Sequence, residues 1–535
     1  MRRASLAIVG LVVLAGCTKG GLGSEPPDRR CDVVWYPDPD GDGYGGDESG
    51  VATCVPEASW VQVGGDCAPD DAAVSPGAIE LCNGQDDDCS GGVDEGCAPD
   101  EPRDRIEGLF DLNDADAIGF GDASDDAGHH MKVGDLDGDG INDLVVGAMW
   151  AGGYRGGAYV AFGPLSGEGP LGAAGVFLAG ERSNYEGGRS IGVGDVNGDG
   201  ALDLQLGAPD SSGSDAVTFF GPITRDLAFS EAAVQVSCAS AIECGHGSDV
   251  ADVSGDGIAD LIIGAGEQRT GGNYSGSVYI LLGPVAAGSV DLPTAYDYEL
   301  VGENPNSEAG RYVESNGDLN GDGVTELLIS AGYDDTGGPD SGSVYVVHGP
   351  VDAGFDLAQA DGKLVGTSAY EICGEALAFG DLDGDGLDDA IVGSSQANRA
   401  GGAAYVVGGP ATGTVSLGAG LAVLEGSGSD RVGSGVDAED LDGDGVDDLI
   451  AGATGAAGMV NGSGAALVVY GPMAGAVAAA DADARLGGRA NGDAAGAGVV
   501  SGDLDGDGAP DLVIGATGDR TGGFGAGAVF VSYLE

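Results

Sequence analysis

Short apolar stretches separated by glycine-rich turns recur along most of the chain. In one repeat, apolar residues 376–379 precede a polar loop, and further apolar stretches follow at 390–392, 404–407 and 421–424. Each stretch has the length and the glycine or proline boundaries that are typical of a strand. The pattern therefore predicts four short strands per repeat, arranged as one small antiparallel sheet.

A polar loop of nine residues marks each repeat. Its pattern is Asp-x-Asp-Gly-Asp-Gly-x-x-Asp, with Asn, Ser or Glu replacing single acids, and seven copies occur at intervals of 57 to 66 residues. The copies begin at Asp135, Asp195, Asp252, Asp318, Asp381, Asp440 and Asp503. A single small sheet cannot bury both of its faces, so neighbouring repeats must stack to build a core.

Seven four-stranded units arranged radially predict an all-β protein, a seven-bladed β-propeller over residues 111–535. The last repeat ends after its third strand, at residues 529–531, whereas a spare strand-like segment at 116–120 precedes the first repeat. Pairing of this segment with the last blade would close the ring and remove an open sheet edge. An open β-solenoid capped by the spare segment is the alternative.

Composition narrows the class of protein further. Glycine fills 107 of 535 positions, which disfavours a helical bundle because each helix-interior glycine costs about 1 kcal/mol relative to alanine. The 20 basic and 88 acidic residues give a net charge of −68. Such a chain repels phosphate backbones and anionic lipid surfaces, so nucleic acid is excluded as a partner.

The N-terminus has the pattern of an export signal. Arg2 and Arg3 precede an apolar run over residues 4–16 that is too short to span a bilayer. The run ends in Leu-Ala-Gly before Cys17, which resembles a bacterial lipobox. The resemblance implies a signal peptide at 1–16, lipidation of Cys17, a flexible tether at 17–30, and an exported lipoprotein anchored to a membrane on its periplasmic or cell-surface side.

Cysteine usage agrees with an oxidising compartment. Six of the ten cysteines fall within residues 31–97, where they predict a disulfide framework whose pairing stays open: Cys31, Cys54, Cys67, Cys82, Cys89 and Cys97. Cys238 and Cys244 are close enough in sequence to close a local loop, which leaves Cys373 as a buried thiol. Residues 98–110 are predicted to be a linker.

The cysteine-rich segment also contains a calcium-like loop with Asp38, Asp40 and Asp42. It resembles the Asp/Cys-rich metal-binding module of exported bacterial proteins and, more loosely, thrombospondin type 3 repeats. A disulfide-stapled spacer with merely solvating acids is the alternative. Its oxygen-rich composition favours Ca²⁺.

The repeats themselves resemble a known family. Gly-Pro follows the third strand at Phe162-Gly163-Pro164 and Phe220-Gly221-Pro222, and Gly207-Ala208-Pro209 follows a second strand. These motifs are similar to FG-GAP repeats, which build the propellers of integrin α-subunits and of many bacterial surface proteins. The resemblance implies adhesion or recognition as the function and Ca²⁺ as the bound ion.

Each acidic loop is predicted to bind one Ca²⁺, about seven in the propeller and one or two more in the N-terminal module. Side-chain oxygens at positions 1, 3, 5 and 9 suit a hard cation, and the family implies that position 7 adds its backbone carbonyl. An EF-hand is excluded because position 12 is apolar in every copy. The loops starting at Asp252 and Asp318 are expected to bind most weakly. The predicted ligands are Asp135, Asp137, Asp139, Ile141 and Asp143; Asp195, Asn197, Asp199, Ala201 and Asp203; Asp252, Ser254, Asp256, Ile258 and Asp260; Asp318, Asn320, Asp322, Val324 and Glu326; Asp381, Asp383, Asp385, Leu387 and Asp389; Asp440, Asp442, Asp444, Val446 and Asp448; and Asp503, Asp505, Asp507, Ala509 and Asp511.

Three functions are compatible with this sequence. A lipid-anchored surface protein would bind a protein or glycan ligand on the propeller face away from the acidic loops. A scaffold lipoprotein would have no external ligand. A polysaccharide-active propeller enzyme is the least favoured, because no catalytic motif stands out. Of the four histidines, His129, His130, His246 and His348, the first three are expected to be solvated loop residues. Participation of His129 and His130 in a substrate pocket is the alternative.

Overall fold

The computed structural model of the chain describes residues 34–37, 45–46, 51–52, 60–61, 64–66, 105–182, 186–209, 216–238, 244–292 and 294–534. The chain divides into two compact units, Met1–Glu101 and Pro102–Glu535. The first unit contains the short strands Val34–Pro37, Gly45–Gly46, Val51–Ala52, Trp60–Val61 and Gly64–Asp66. The predicted signal peptide, Cys17, the tether, the six cysteines of residues 31–97 and the loop of Asp38, Asp40 and Asp42 lie outside the described residues.

The second unit contains seven sheets, one for each repeat, so the predicted seven-bladed propeller is confirmed. Within each sheet the first four strands pair antiparallel from the centre outwards, in chain order in blades one to six. In blade seven the fourth strand comes from the N-terminal end of the unit. The four strands of each blade, from one to seven, are Met131–Gly134, Asp143–Gly147, Gly157–Ala161 and Gly175–Ala179; Ile191–Gly194, Asp203–Gly207, Ala216–Phe219 and Val234–Ser237; Ser248–Ala251, Asp260–Ala265, Ser277–Leu281 and Tyr298–Val301; Val313–Gly317, Glu326–Ala331, Ser343–Val347 and Gly362–Val365; Ala376–Gly380, Asp389–Ser394, Ala403–Val407 and Ala422–Glu425; Val432–Glu439, Asp448–Ala453, Ala465–Val469 and Ala484–Gly487; and Ala495–Gly502, Asp511–Ala516, Ala528–Ser532 and Ala117–Phe120.

The prediction of four strands per blade is too low by one. A short fifth strand from the next repeat along the ring pairs parallel with each fourth strand. These fifth strands are two to four residues long and five of the seven begin with glycine, so they are too short to show an apolar run. For blades one to seven they are Leu227–Ala228, Gly288–Asp291, Phe355–Asp356, Gly413–Ser416, Gly475–Ala478, Gly108–Asp111 and Gly167–Pro170.

The two ends of the propeller sequence meet in the last two blades. Ala117–Phe120 pairs antiparallel with Ala528–Ser532 in blade seven. Gly108–Asp111, part of which lies in the predicted linker, pairs parallel with Ala484–Gly487 in blade six. Each of these sheets therefore contains strands from both ends of the unit.

The core lies between the blades. Seven clusters of buried apolar side chains occupy the seven interfaces between adjacent sheets, including the one between blades seven and one. Glycine permits this close packing where backbones of neighbouring blades meet. A Cβ added to Gly515 would lie 1.7 Å from the carbonyl oxygen of Gly128, which no side chain could tolerate.

Short helical turns complete the unit: Leu112–Asp114, Ala151–Tyr154, Leu171–Ala174, Phe229–Glu231, Leu357–Gln359, Ala397–Ala400, Leu417–Ala419 and Ala479–Asp481. The predicted local bridge between Cys238 and Cys244 is confirmed, and Cys373 is a buried free thiol as predicted. Among the described residues, no helix has the length and apolar character needed to cross a bilayer.

Candidate metal centres and the opposite face

Every acidic loop connects the first strand of a blade to its second, so all seven lie at one end of the strands. In blade one, the carboxylate of Asp135 at position 1 accepts hydrogen bonds from the N–H groups of Gly138 (2.7 Å), Asp139 (3.1 Å) and Gly140 (3.0 Å). The N–H of position 7 donates to the position-5 carboxylate in all seven loops. The backbone thus folds around the acids and holds them in one tight turn.

Glycine is required at positions 4 and 6 of this turn. Gly138 and Gly140 have φ angles of 83° and 92°, which place them in the left-handed region. An added Cβ would meet no neighbour at either position, so the backbone conformation and not the available space selects glycine there.

The position-9 carboxylates are buried beneath the loops, with at most 1% of each residue exposed. Asp143, for example, accepts hydrogen bonds from the N–H groups of Leu136 and Gly163, at 3.0 and 3.1 Å. Burial, reinforced by neighbouring acids, raises the pKa of these carboxyls. The pKa is about 6 for Asp143, Asp203 and Asp511, about 7 for Glu326, Asp389 and Asp448, and raised for Asp260.

Five of the seven loops bring three carboxylates together with ligand oxygens within 4.8 Å of one another. The groups are Asp135, Asp137 and Asp143; Asp318, Asp322 and Glu326; Asp381, Asp383 and Asp385; Asp440, Asp442 and Asp448; and Asp503, Asp505 and Asp511. Three convergent hard oxygens fit a divalent cation such as Ca²⁺, which would offset their mutual repulsion. The acidic clusters therefore fit metal binding.

The loops of blades two and three differ from this set. They contain Asn197 and Ser254 at position 3, and they form no such group of three carboxylates. The loop at Asp318, which the sequence marks as weak, does form one, with Glu326 reaching the cluster from position 9. Weak binding at Asp252 stays a prediction.

The first strands of the blades line a central channel, and four of them carry a charged side chain at the same height in it. These channel charges were not predicted from the sequence. Lys132, Asp249, Glu314 and Asp437 occupy equivalent places in four inner strands, each opposite an apolar residue of the second strand. The Lys132 Nζ lies 2.5 Å from Glu314 Oε1 and 3.9 Å from Asp249 Oδ1. Aligning the repeats through their inner strands would have revealed this charged position.

The histidine prediction needs correction. His129, His130 and His246 are half-buried and, with Tyr312 and Glu375, line the mouth of the channel. Burial lowers the pKa of His129 and His130, whose ring centroids lie 4.4 Å apart. The mouth cavity has a volume of about 140 Å³, below the roughly 300–1,000 Å³ that is usual for ligand pockets.

His348 is also half-buried, with Nε2 2.9 Å from the carbonyl oxygen of Pro410. Its nearest polar partner is thus a backbone carbonyl.

Exposed apolar side chains concentrate at the strand end opposite the acidic loops. Of nine large hydrophobic residues found exposed among the described residues, six lie in loops at this end. We call these six residues the apolar face; they are Trp150, Tyr154, Tyr370, Met459, Val460 and Phe524. Trp150 and Tyr154 stack with ring centroids 5.9 Å apart, and Phe524 is 76% exposed.

A family model described as FG-GAP repeat matches residues 128–161, 245–281, 312–347, 374–407 and 495–532, which belong to blades one, three, four, five and seven. The chain carries FG-GAP repeats. Blades two and six lie outside these matches, although each has the acidic loop and the same strand order. A second model, described as "Putative metal-binding motif", matches residues 66–95 of the N-terminal unit.

Curated relatives of the propeller are integrin alpha chains. Integrin alpha pat-2 of Caenorhabditis elegans is 28% identical over 232 residues, which cover 40% of this chain and 18% of that protein. Integrin alpha-PS2 of Drosophila melanogaster is 30% identical over 168 residues (29% and 12%), and Integrin alpha-IIb of Mus musculus is 31% identical over 170 residues (29% and 15%). The matches thus span less than a fifth of the length of these relatives, and they indicate no enzyme family.

Proposed function

We propose that this chain is an exported, lipid-anchored surface protein that recognises a protein or glycan through the apolar face. The observation that supports this most directly is the concentration of exposed aromatic and aliphatic side chains at the strand end away from the acidic loops. Loops on a rigid scaffold are where binding residues usually lie. The likeness to integrin alpha chains agrees with adhesion or recognition.

The acidic loops, at the other end of the strands, stabilise the propeller that carries the apolar face. Each loop binds one Ca²⁺ through its predicted ligands, giving about seven ions in the propeller, and the N-terminal module binds one or two more. The weakest loops are those starting at Asp252 and Asp318, where Ser254 is a poor ligand and Glu326 is longer than Asp. Calcium is structural in this account, because each ion tethers the first two strands of a blade.

The recognition proposal can be tested with two matched sets of substitutions in the full chain. Trp150→Ala, Tyr154→Ala and Phe524→Ala, combined, should reduce binding of the labelled protein to intact cells and to a glycan array by at least about tenfold. Leu109→Ala is the control, since Leu109 is 55% exposed but lies in the outer strand of blade six. Equal losses in both variants, or undiminished binding of the triple variant, would contradict the proposal.

Calcium binding can be tested by calorimetric titration of the chelator-stripped protein lacking residues 1–17. We expect seven ions, or eight to nine if the N-terminal module also binds. Zero or one ion would mean that the acidic loops act only as turns. Anchoring has its own test: Cys17→Ala should move the protein from the membrane fraction to the soluble fraction.

A further inference from the structure

Arg105, which precedes the first strand of the propeller unit, lies against the acidic loop of blade six. Its Nε contacts the Asp442 carboxylate, and one terminal nitrogen lies 3.3 Å from Asp444 Oδ2. Asp442 and Asp444 are positions 3 and 5 of this loop. A guanidinium is thus paired with two carboxylates that would otherwise face a metal ion.

The segment around Arg105 is fixed by further contacts with blade six. The guanidinium stacks over the ring of Tyr470 at 4.7 Å, and the Ile106 N–H donates to the Tyr470 hydroxyl at 2.6 Å. The same hydroxyl donates back to the Ile106 carbonyl at 3.2 Å. Arg105 is therefore held by contacts of its guanidinium and by the backbone of the residue that follows it.

The contact with Arg105 changes the exposure of the acidic loop of blade six, called loop six below. Asp442 is only 1% exposed, whereas the residue at position 3 is half-buried in each of the other six loops. The Arg105 side chain lies directly against Asp442, and this contact accounts for its burial. The acidic loop of blade six thus holds an arginine side chain in addition to its own acids.

We propose that Arg105 is a tethered cation that competes with the divalent cation for the acidic loop of blade six. The inference rests on the proposed cation binding by the acidic loops. Carboxylates that form ion pairs with a guanidinium cannot turn the same oxygens towards a metal ion. A short tether holds a competing group at an effective concentration on the order of millimolar, the range in which extracellular sites bind Ca²⁺.

Metal binding at loop six would therefore release Arg105. The release is confined to the residues before Gly108, because Gly108–Asp111 is paired with Ala484–Gly487. The freed segment leads directly to the N-terminal unit, which ends at Glu101. Calcium would in this way free residues 105–107 while it tightens the propeller loops.

A double-mutant cycle isolates loop six from the other sites. We expect Arg105→Gln to tighten one calcium site on the order of tenfold in calorimetric titrations, a typical coupling between competing ligands. Arg105→Lys, which keeps the charge and loses the planar fork, should have an intermediate effect. In an Asp442→Asn background, which removes one of the two carboxylates that pair with Arg105, the effect of Arg105→Gln should be much smaller.

Trypsin gives a second measurement that uses the wild-type chain. Calcium should accelerate cleavage after Arg105, detected as a new N-terminus at Ile106, while cleavage after Arg225, whose side chain is 65% exposed, should not accelerate. Identical isotherms for the wild type and Arg105→Gln, or calcium that slows or leaves unchanged the cleavage after Arg105, would overturn the competition. A wild-type chain that binds no calcium at any loop would overturn it together with the proposed calcium binding, and the titration distinguishes these failures.

Discussion

The loops at one end of the propeller are nearly the same in every blade, whereas the loops at the other end differ from blade to blade. At the acidic end, the same nine-residue turn occurs seven times, with the same backbone hydrogen bonds from position 7 to position 5. At the opposite end, the loops carry different side chains, and exposed apolar residues occur in only some of them. Repetition is what a structural requirement common to all blades produces, whereas a binding surface needs only one arrangement of distinct side chains.

The test of this contrast with the largest expected effect is chelation of the calcium that we propose to bind at the acidic end. If each acidic loop binds Ca²⁺ as proposed, with Kd values of about 10⁻⁴–10⁻³ M and free Ca²⁺ near 1 mM, each site would add about 0.4–1.4 kcal/mol to the free energy of unfolding. Seven sites would add roughly 3–10 kcal/mol, which is comparable with the stability of a whole domain. We expect a chelator to lower the melting temperature measured by circular dichroism, and an unchanged melting temperature would show that the loops are stable without metal.

A second test addresses the packing of the opposite end. Gly515→Ala places a methyl group against the Gly128 carbonyl, a backbone atom that cannot move aside, so it should lower the free energy of unfolding by about 3 kcal/mol or more. Gly169→Ala is the matched control, because Gly169 has no atom within 4 Å of an added Cβ and needs no positive φ. Equal denaturant midpoints for the two variants would contradict the interblade contact.

A third test separates buried from exposed acids within one loop. Asp389→Asn should lower the free energy of unfolding by about 1–3 kcal/mol, because its new amide group would face an N–H donor. The Asp389 carboxylate accepts from Leu382 N–H at 3.1 Å and Gly409 N–H at 3.3 Å. The measurement is chemical denaturation with calcium present.

Asp385→Asn is the control for that comparison, since it removes the same charge from the same loop at an exposed position. Its oxygen can still accept from the N–H of Leu387. If both variants lose the same stability, charge alone and not burial determines the role of position 9.

The sequence sufficed to predict the features that recur. Seven copies of one motif established the number of blades, and the position of each loop between two apolar stretches established that it joins the first and second strands. The short fifth strands, such as Gly413–Ser416, were missed because they pair at a sheet edge and need no apolar pattern.

Features that occur once were missed for a different reason. Nothing in the sequence around Arg105 shows that it meets Asp442, because 337 residues separate the two positions and only ring closure brings them together. The charged residues of the channel recur in position but not in residue type. Lys132 and Asp249 occupy one aligned position and carry charges of opposite sign.

The smallest expected effect concerns the channel, which joins the two ends. Burial raises the pKa of Glu314, and the like charges of Asp249 and Asp437 add to this effect, against the opposing charge of Lys132. In the unfolded chain this carboxyl has an ordinary pKa near 4.5. The folded state therefore holds the proton more tightly, so stability should fall as the pH rises above about 4.5.

Glu314→Gln removes this titration. In denaturant unfolding between pH 5 and 8, the variant should lose the part of the wild-type decline that belongs to Glu314, a change of order 1 kcal/mol. Glu299→Gln is a suitable control, because Glu299 is a glutamate of a fourth strand, away from the channel. Parallel pH profiles for the wild type and Glu314→Gln would show that Lys132 keeps the carboxylate ionised, and that the channel is as insensitive to pH as an ordinary ion pair.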